Sequence, residues 1–222
     1  MYKMHAFCQS GNCYKVALML DALGAPWEPV FIDFFGGQTR TAEYRANVNE
    51  TGEAPVFEDD GLRLTQSGVI LTHLARKHGR FGGEGEAQQR EVLRWLLYDN
   101  HKFTSYFATY RWMHSLAPEA PNPVVMDFLR GRFEVPFGIV DKHLQQSAFM
   151  VGDAPTIADF SMCGYLFYPV EETGYDVRAK HPAIGKWLER IQALPGWRGP
   201  YDCLPGERME PRRRPASPST AR

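Results

Sequence analysis

No stretch of the sequence offers the roughly 18 consecutive apolar residues that a helix needs to cross a bilayer. Charge of one sign is equally scarce: 25 Lys and Arg stand against 26 Asp and Glu, a formal net charge of −1. That balance creates no whole-molecule field for DNA, RNA or an anionic lipid surface, so neither nucleic acid nor membrane is expected as a partner. Cysteine is sparse. Cys8, Cys13, Cys163 and Cys203 lack the paired spacing of a disulfide framework. The opening MYKMHAFCQSGN lacks the apolar core of a secretory signal, and a reducing, cytoplasmic setting is the expectation. His101 and His114 have no neighbour at metal-ligand spacing, so no metal is expected.

What is present is ordinary for a globular chain: 44% hydrophobic and 23% charged residues over 222 positions. A chain of this size buries roughly 70–75% of its unfolded surface and needs no covalent staple. The first 80 residues alternate strand and helix signals. Tyr2–Phe7 reads as a strand. Val16, Met19, Leu20 and Leu23 recur on one face of a helix that Gly24 stops. Trp27–Asp33 reads as a second strand, and Asp59-Asp60-Gly61 joins two more as a hairpin. Ser67–His78 forms another helix. The order predicts a small mixed sheet with helices packed on it.

After Arg80 the pattern changes. The Gly-rich FGGEGE (81–86) reads as a linker, and residues 87–204 read as helical throughout. Leu93, Leu96, Leu97, Phe103, Phe107 and Tyr110 mark one long helix. Pro123–Gln146 marks another, with Pro136 expected to bend it. Thr156-Ile157-Ala158-Asp159 is a capping box ahead of an apolar run in which Cys163 reads as a core residue. Residues 205–222 combine Pro and Ser with five arginines against two glutamates and have no apolar face. They read as a disordered, solvated tail.

Chemistry concentrates in the first domain. Ser10-Gly11-Asn12-Cys13 has the spacing of a C-x-x-C turn with the first thiol replaced by a hydroxyl. It sits at a strand-to-helix turn, where unpaired N–H groups and the helix dipole favour a bound anion. The residues alone also allow Ser10 to be a simple N-cap and Cys13 a packed side chain. Ala54-Pro55 opens an apolar strand, where Pro lacks the ladder donor. Gln66-Ser67 starts a helix with a hydroxyl and N–H groups suited to a carboxylate, or merely to capping.

In this order and at these separations, the Ser-x-x-Cys turn, Ala-Pro-Val, Gln-Ser and the helical half with its capping box resemble the cytosolic glutathione transferase family, in a serine-type or bacterial class. The resemblance spans about residues 1–200. It implies an α/β thioredoxin-like N-terminal domain (1–80), an all-α helical-bundle C-terminal domain, and a homodimer. It also implies that glutathione binds as co-substrate. Ser10, assisted by Asn12, would activate the thiol for attack on a small apolar electrophile. Ala54, beside Pro55, would pair with the cysteinyl backbone. Gln66 and Ser67 would hold the γ-glutamyl end and Gln38 the glycine carboxylate, while Asp99 would reach the partner subunit's site. Tyr106, Tyr110 and Met113, with Trp112, are the candidate wall for the electrophile.

Two residues depart from the family pattern. Glu53 puts negative charge where a basic or amide residue commonly meets the glycine carboxylate, and position 66 is Gln rather than an acid. Two other readings stand beside conjugation. One is glutathione-dependent reduction of disulfides or peroxides, drawing on Cys8 or Cys13. The other is a non-catalytic binding module on the same fold.

Overall fold

The structure, a computed structural model, describes residues 1–213. Strand β1 (Tyr2–Ala6) buries Tyr2, Met4 and Ala6 and turns Lys3 outward, the period-two pattern of a strand. Helix α1 (Gly11–Leu23) is buried almost all round, as befits a helix caught between a sheet and other helices. Ser10 caps it, and Gly24 closes it in the left-handed conformation, φ 65°. Strand β2 (Trp27–Phe31) runs parallel to β1, with Tyr2 opposite Trp27. Helix α2 (Ala42–Asn47) is capped by Thr41 and buries Tyr44 beside Phe7 and Ile32. Strands β3 (Val56–Asp59) and β4 (Leu62–Thr65) form the hairpin, and helix α3 (Ser67–His78) follows. The sheet order is β2-β1-β3-β4, with β3 antiparallel to β1. This is the thioredoxin-like arrangement anticipated for this part of the chain.

The rest is helical. Helices α4 (Gly85–Tyr98) and α5 (Thr104–Arg111) are joined end to end through a wide π-helical turn at Asp99–Phe103, and a second such turn spans Trp112–Leu116. The single long helix read from the sequence therefore has two widened turns, a feature that recurs at functional sites. Leu93 and Leu97 face outward, whereas Phe103, Phe107 and Tyr110 are buried. Helix α6 (Pro123–Leu144) starts with Pro at its first turn and continues unbroken past Pro136. Helix α7 (Ile157–Cys163) is buried along its whole length behind the Thr156–Asp159 capping box. Four further segments follow: α8 (Val170–Thr173), α9 (Val177–Lys180), α10 (Pro182–Gln192) and α11 (Pro200–Cys203).

One apolar core runs through both halves, with α1 packed on α3 and α7. The approach of α1 to α7 is close. A Cβ on Gly164 would lie 2.5 Å from the Lys15 side chain and 2.7 Å from the Gly11 carbonyl. A buried ion pair, Lys15 Nζ to Asp99 Oδ2 at 2.7 Å, ties α1 to the first wide turn. Among the described residues no helix is long and apolar enough to cross a membrane.

The chain beyond Pro205 departs from the expected disordered tail. Residues 205–213 lie across both halves of the molecule. Cys8 N donates to the Pro205 carbonyl (2.9 Å), and the Arg208 guanidinium pairs with Glu171 and Glu172. Arg213 donates to the carbonyls of Met113, His114 and Ala117 at the end of the second wide turn. The segment lacks an apolar face because its fixing contacts are polar. The last nine positions, 214–222, lie outside the described residues.

Candidate active site

A cavity of about 340 Å³ opens where the end of β1, the β3 entry, the start of α3 and the first wide turn converge. Seven residues singled out from the sequence line it: Ser10, Asn12, Glu53, Ala54, Pro55, Gln66 and Ser67. A larger cavity of about 580 Å³ lies between α3 and α4, away from these hydroxyls and from the N-terminus of α1.

Ser10 serves as the N-cap, and that role leaves its donor free. Its Oγ accepts from Cys13 N at 3.2 Å, which uses a lone pair; the hydroxyl proton is available to a ligand in the cavity. Cys13 is fully buried, and burial pushes its thiol up to about 11; burial does the same to Cys8. Neither supplies a thiolate near neutral pH.

The turn ahead of Ser10 is held by side-chain-to-backbone hydrogen bonds with the helical half and the segment after it. Tyr168 Oη donates to the Cys8 carbonyl (2.7 Å), Arg111 Nη1 to the Gln9 carbonyl (2.8 Å), and Gln9 Nε2 to the Glu207 carbonyl (2.7 Å). Arg111 is itself buried, stacked 3.7 Å over the Tyr168 ring and paired with the buried Glu172 at 2.8 Å.

The Ala54–Pro55 peptide bond is cis. The turn before it is set by Tyr44 Oη and Asn49 Nδ2, both donating to the Glu53 carbonyl (3.1 and 2.9 Å). Gln66 sits at φ +66°, a conformation that costs a non-glycine residue energy and concentrates at functional sites. Its side chain does not cap α3. Instead its Nε2 donates to Glu53 Oε2 at 2.8 Å.

Five candidates lie elsewhere: Gln38, Tyr106, Tyr110, Met113 and Asp99. Gln38 folds onto its own loop, its Oε1 accepting from Asp33 N at 2.8 Å. None of Tyr106, Tyr110 and Met113 lines this cavity. Tyr110 Oη accepts from Arg130 and Tyr106 Oη from Arg132, both on α6. Both hydroxyls are engaged by α6. Asp99 is buried against Lys15, Thr104 and Ser161 and does not face outward toward a second subunit.

The other walls are Phe7, Phe34, Asn100, Ser105 and Tyr165. Phe7 and Phe34 stack with centroids 4.6 Å apart. Tyr165 comes from the helical half and lies directly over Gly11, where a Cβ would meet its ring at 2.3 Å. No local pattern announces Tyr165, Asn100 or Ser105, since each reaches the cavity through domain packing.

The N-terminal domain model of the glutathione S-transferases matches residues 2–76, and their C-terminal domain model matches residues 103–195. A solved glutathione S-transferase from Pseudomonas fluorescens Pf-5 is 31% identical and superposes with a TM-score of 0.81, covering 90% of this chain and 98% of that one. One from Xanthobacter autotrophicus Py2 is 29% identical with the same TM-score, covering 91% and 98%. A probable glutathione S-transferase from Oryza sativa subsp. japonica, GSTF1, is 26% identical over 204 residues, 87% of this chain and 92% of that protein.

Proposed function

The chain belongs to the glutathione S-transferase family, and from that premise we propose that Ser10 activates the thiol of glutathione bound in the cavity for attack on a small apolar electrophile. The transferase activity follows from the family; the roles given to individual residues are our reading. One observation carries it: the Ser10 hydroxyl, the α1 N-terminus, the Ala54–Pro55 turn and the Gln66–Ser67 helix start line a single cavity.

The chemistry needs a thiolate. A free thiol ionises near pH 8.5, so only a few per cent is charged at neutral pH. Lowering that value by two units takes about 2.7 kcal/mol. A hydroxyl donating to the sulfur contributes about 1.5–3 kcal/mol as a bond to a charged group, and the uncancelled N-terminus of α1 adds up to about 1 kcal/mol. The two together reach the requirement without ionisation of Ser10. Asn12, two residues on and in the same cavity wall, would donate a second bond. The thiolate then forms a bond to the electrophilic carbon as the leaving group departs with its electron pair, or adds across a polarised double bond that is afterwards protonated.

The ligand would lie with its cysteinyl backbone along Ala54, beside Pro55, and its γ-glutamyl carboxylate at Ser67 and the α3 N-terminus. Phe7, Phe34 and the Tyr165 ring offer the apolar face for the second substrate. On this reading the chain would belong to a serine-type class. A cytoplasmic homodimer working in detoxification fits the same reading, and the outward-facing Leu93 and Leu97 on α4 and Val69 on α3 offer apolar surface for the pairing. A reductase that relies on Cys8 or Cys13 is disfavoured by the burial that holds both thiols protonated.

The test is conjugation of glutathione to a chromogenic aryl halide by wild type and Ser10→Ala. Loss of about 10²-fold or more in kcat, with the glutathione KM little changed, supports the assignment. An unchanged kcat contradicts it.

A further inference from the structure

The cavity carries one formal charge, and it is negative. Glu53 is the sole carboxylate in its lining, and among the described residues no Lys, Arg or His lines it. The carboxylate is held in place. Glu53 Oε2 accepts from Gln66 Nε2 at 2.8 Å and from Thr51 Oγ1 at 3.3 Å. The Gln66 side chain is therefore spent on Glu53, and the N-terminus of the 12-residue helix α3 has no side-chain cap. A carboxylate thus sits beside an open helix N-terminus carrying the Ser67 hydroxyl. That pair matches the two charges of an α-amino-acid head group: ammonium at Glu53, carboxylate at Ser67 and the first N–H groups of α3.

The opposite end has no such match. The remaining polar walls, Asn12, Asn100 and Ser105, are neutral. Gln38 is committed to its own loop, and Arg45 lies against Gly52.

We propose that Glu53 holds the ammonium of the γ-glutamyl head and that the far carboxylate is not a recognition element, so the site takes γ-glutamyl thiols whatever follows the cysteine. The proposal rests on the glutathione-binding reading above and refines it. Glu53 is then the specificity-determining residue that selects the free amino end of the ligand.

Titration calorimetry of the wild-type protein with four ligands tests this: glutathione, its glycine ethyl ester, γ-glutamylcysteine and N-acetylglutathione. The ester and the dipeptide are expected to bind within about threefold of glutathione, and the N-acetyl compound about tenfold or more weakly, the scale of one charge-assisted bond. In Glu53→Gln the N-acetyl penalty should fall to within about threefold, which separates lost charge from added bulk. A loss for the ester as large as that for the N-acetyl compound overturns the proposal. So does an N-acetyl penalty that persists undiminished in Glu53→Gln. If glutathione itself does not bind the wild type, the underlying reading fails and the proposal with it.

Discussion

Replacing Arg111 by Met keeps most of the side-chain stem and removes the guanidinium. In the native protein that guanidinium pairs with Glu172, which is wholly buried, and donates to the Gln9 carbonyl one residue before Ser10. Removing one partner of a buried pair costs about 3–5 kcal/mol, because the other charge stays in a poor solvent. Glu172 would not be left bare: Tyr201 Oη donates to its Oε2 at 2.6 Å and Arg208 Nε to its Oε1 at 2.9 Å. The expected cost is therefore at the lower end, about 3 kcal/mol. For a chain of this length each kcal/mol moves Tm by about 2–4 °C, so Arg111→Met should melt about 6–12 °C below wild type. Glu172→Gln should also destabilise, and the double variant should lose less than the sum of the two, since each single change strands a partner that the double does not. Thermal and urea unfolding of the four proteins give the answer. A shift below about 3 °C, or strict additivity in the double variant, would refute the claim that this pair anchors the turn.

Gly11→Ala should reverse the usual helix preference. Ala gains about 1 kcal/mol over Gly in a helix, but here its Cβ would enter the Tyr165 ring, so a net loss of about 1–3 kcal/mol in urea and a lower kcat are expected. Asp159→Ala removes the acceptor for Met150 N, Thr156 N, Thr156 Oγ1 and Trp187 Nε1, all buried, and should cost about 3–5 kcal/mol by the same measurement. Burial alone would raise the Asp59 carboxyl, but hydrogen bonds from Lys77 and His73 outweigh it and hold it below the ordinary carboxylate range. A depressed folded value stabilises the protein above the unfolded value, near pH 3.9, and the gain is lost as pH falls through the lower, folded one. The stability gap between wild type and Asp59→Asn should thus be full at pH 6 and shrink below about pH 4 in a urea series.

The parts of this molecule legible in its sequence are those set by local chemistry. The Ser10 turn shows itself because an N-cap must precede the apolar face of α1. Ala54–Pro55 and Gln66–Ser67 show themselves because Pro and a helix start each demand particular positions. The sheet-then-helices order followed from the switch of period after Arg80. What stayed hidden is carried by contacts distant in sequence. Tyr165 reaches the cavity only because Gly11 and Gly164 let α1 and α7 close together. Tyr106 and Tyr110 have the composition of a pocket wall, yet their hydroxyls meet Arg132 and Arg130 of α6. Residues 205–213 carry the composition of a solvated tail. Their partners are a buried glutamate and a set of backbone carbonyls, which periodicity does not register. Glu53 looked like an obstacle to binding until its bond to Gln66 placed it beside the open start of α3.

The central claim is that Ser10 lowers the pKa of a thiol that belongs to the ligand. Thiolate absorbance of bound glutathione, followed against pH in wild type and Ser10→Ala, addresses it directly. The account predicts a bound-thiol pKa about two units below the free value in wild type and close to the free value in the variant, with binding retained. An equal depression in both proteins would contradict it and move the activation to Asn12 or the backbone of α1.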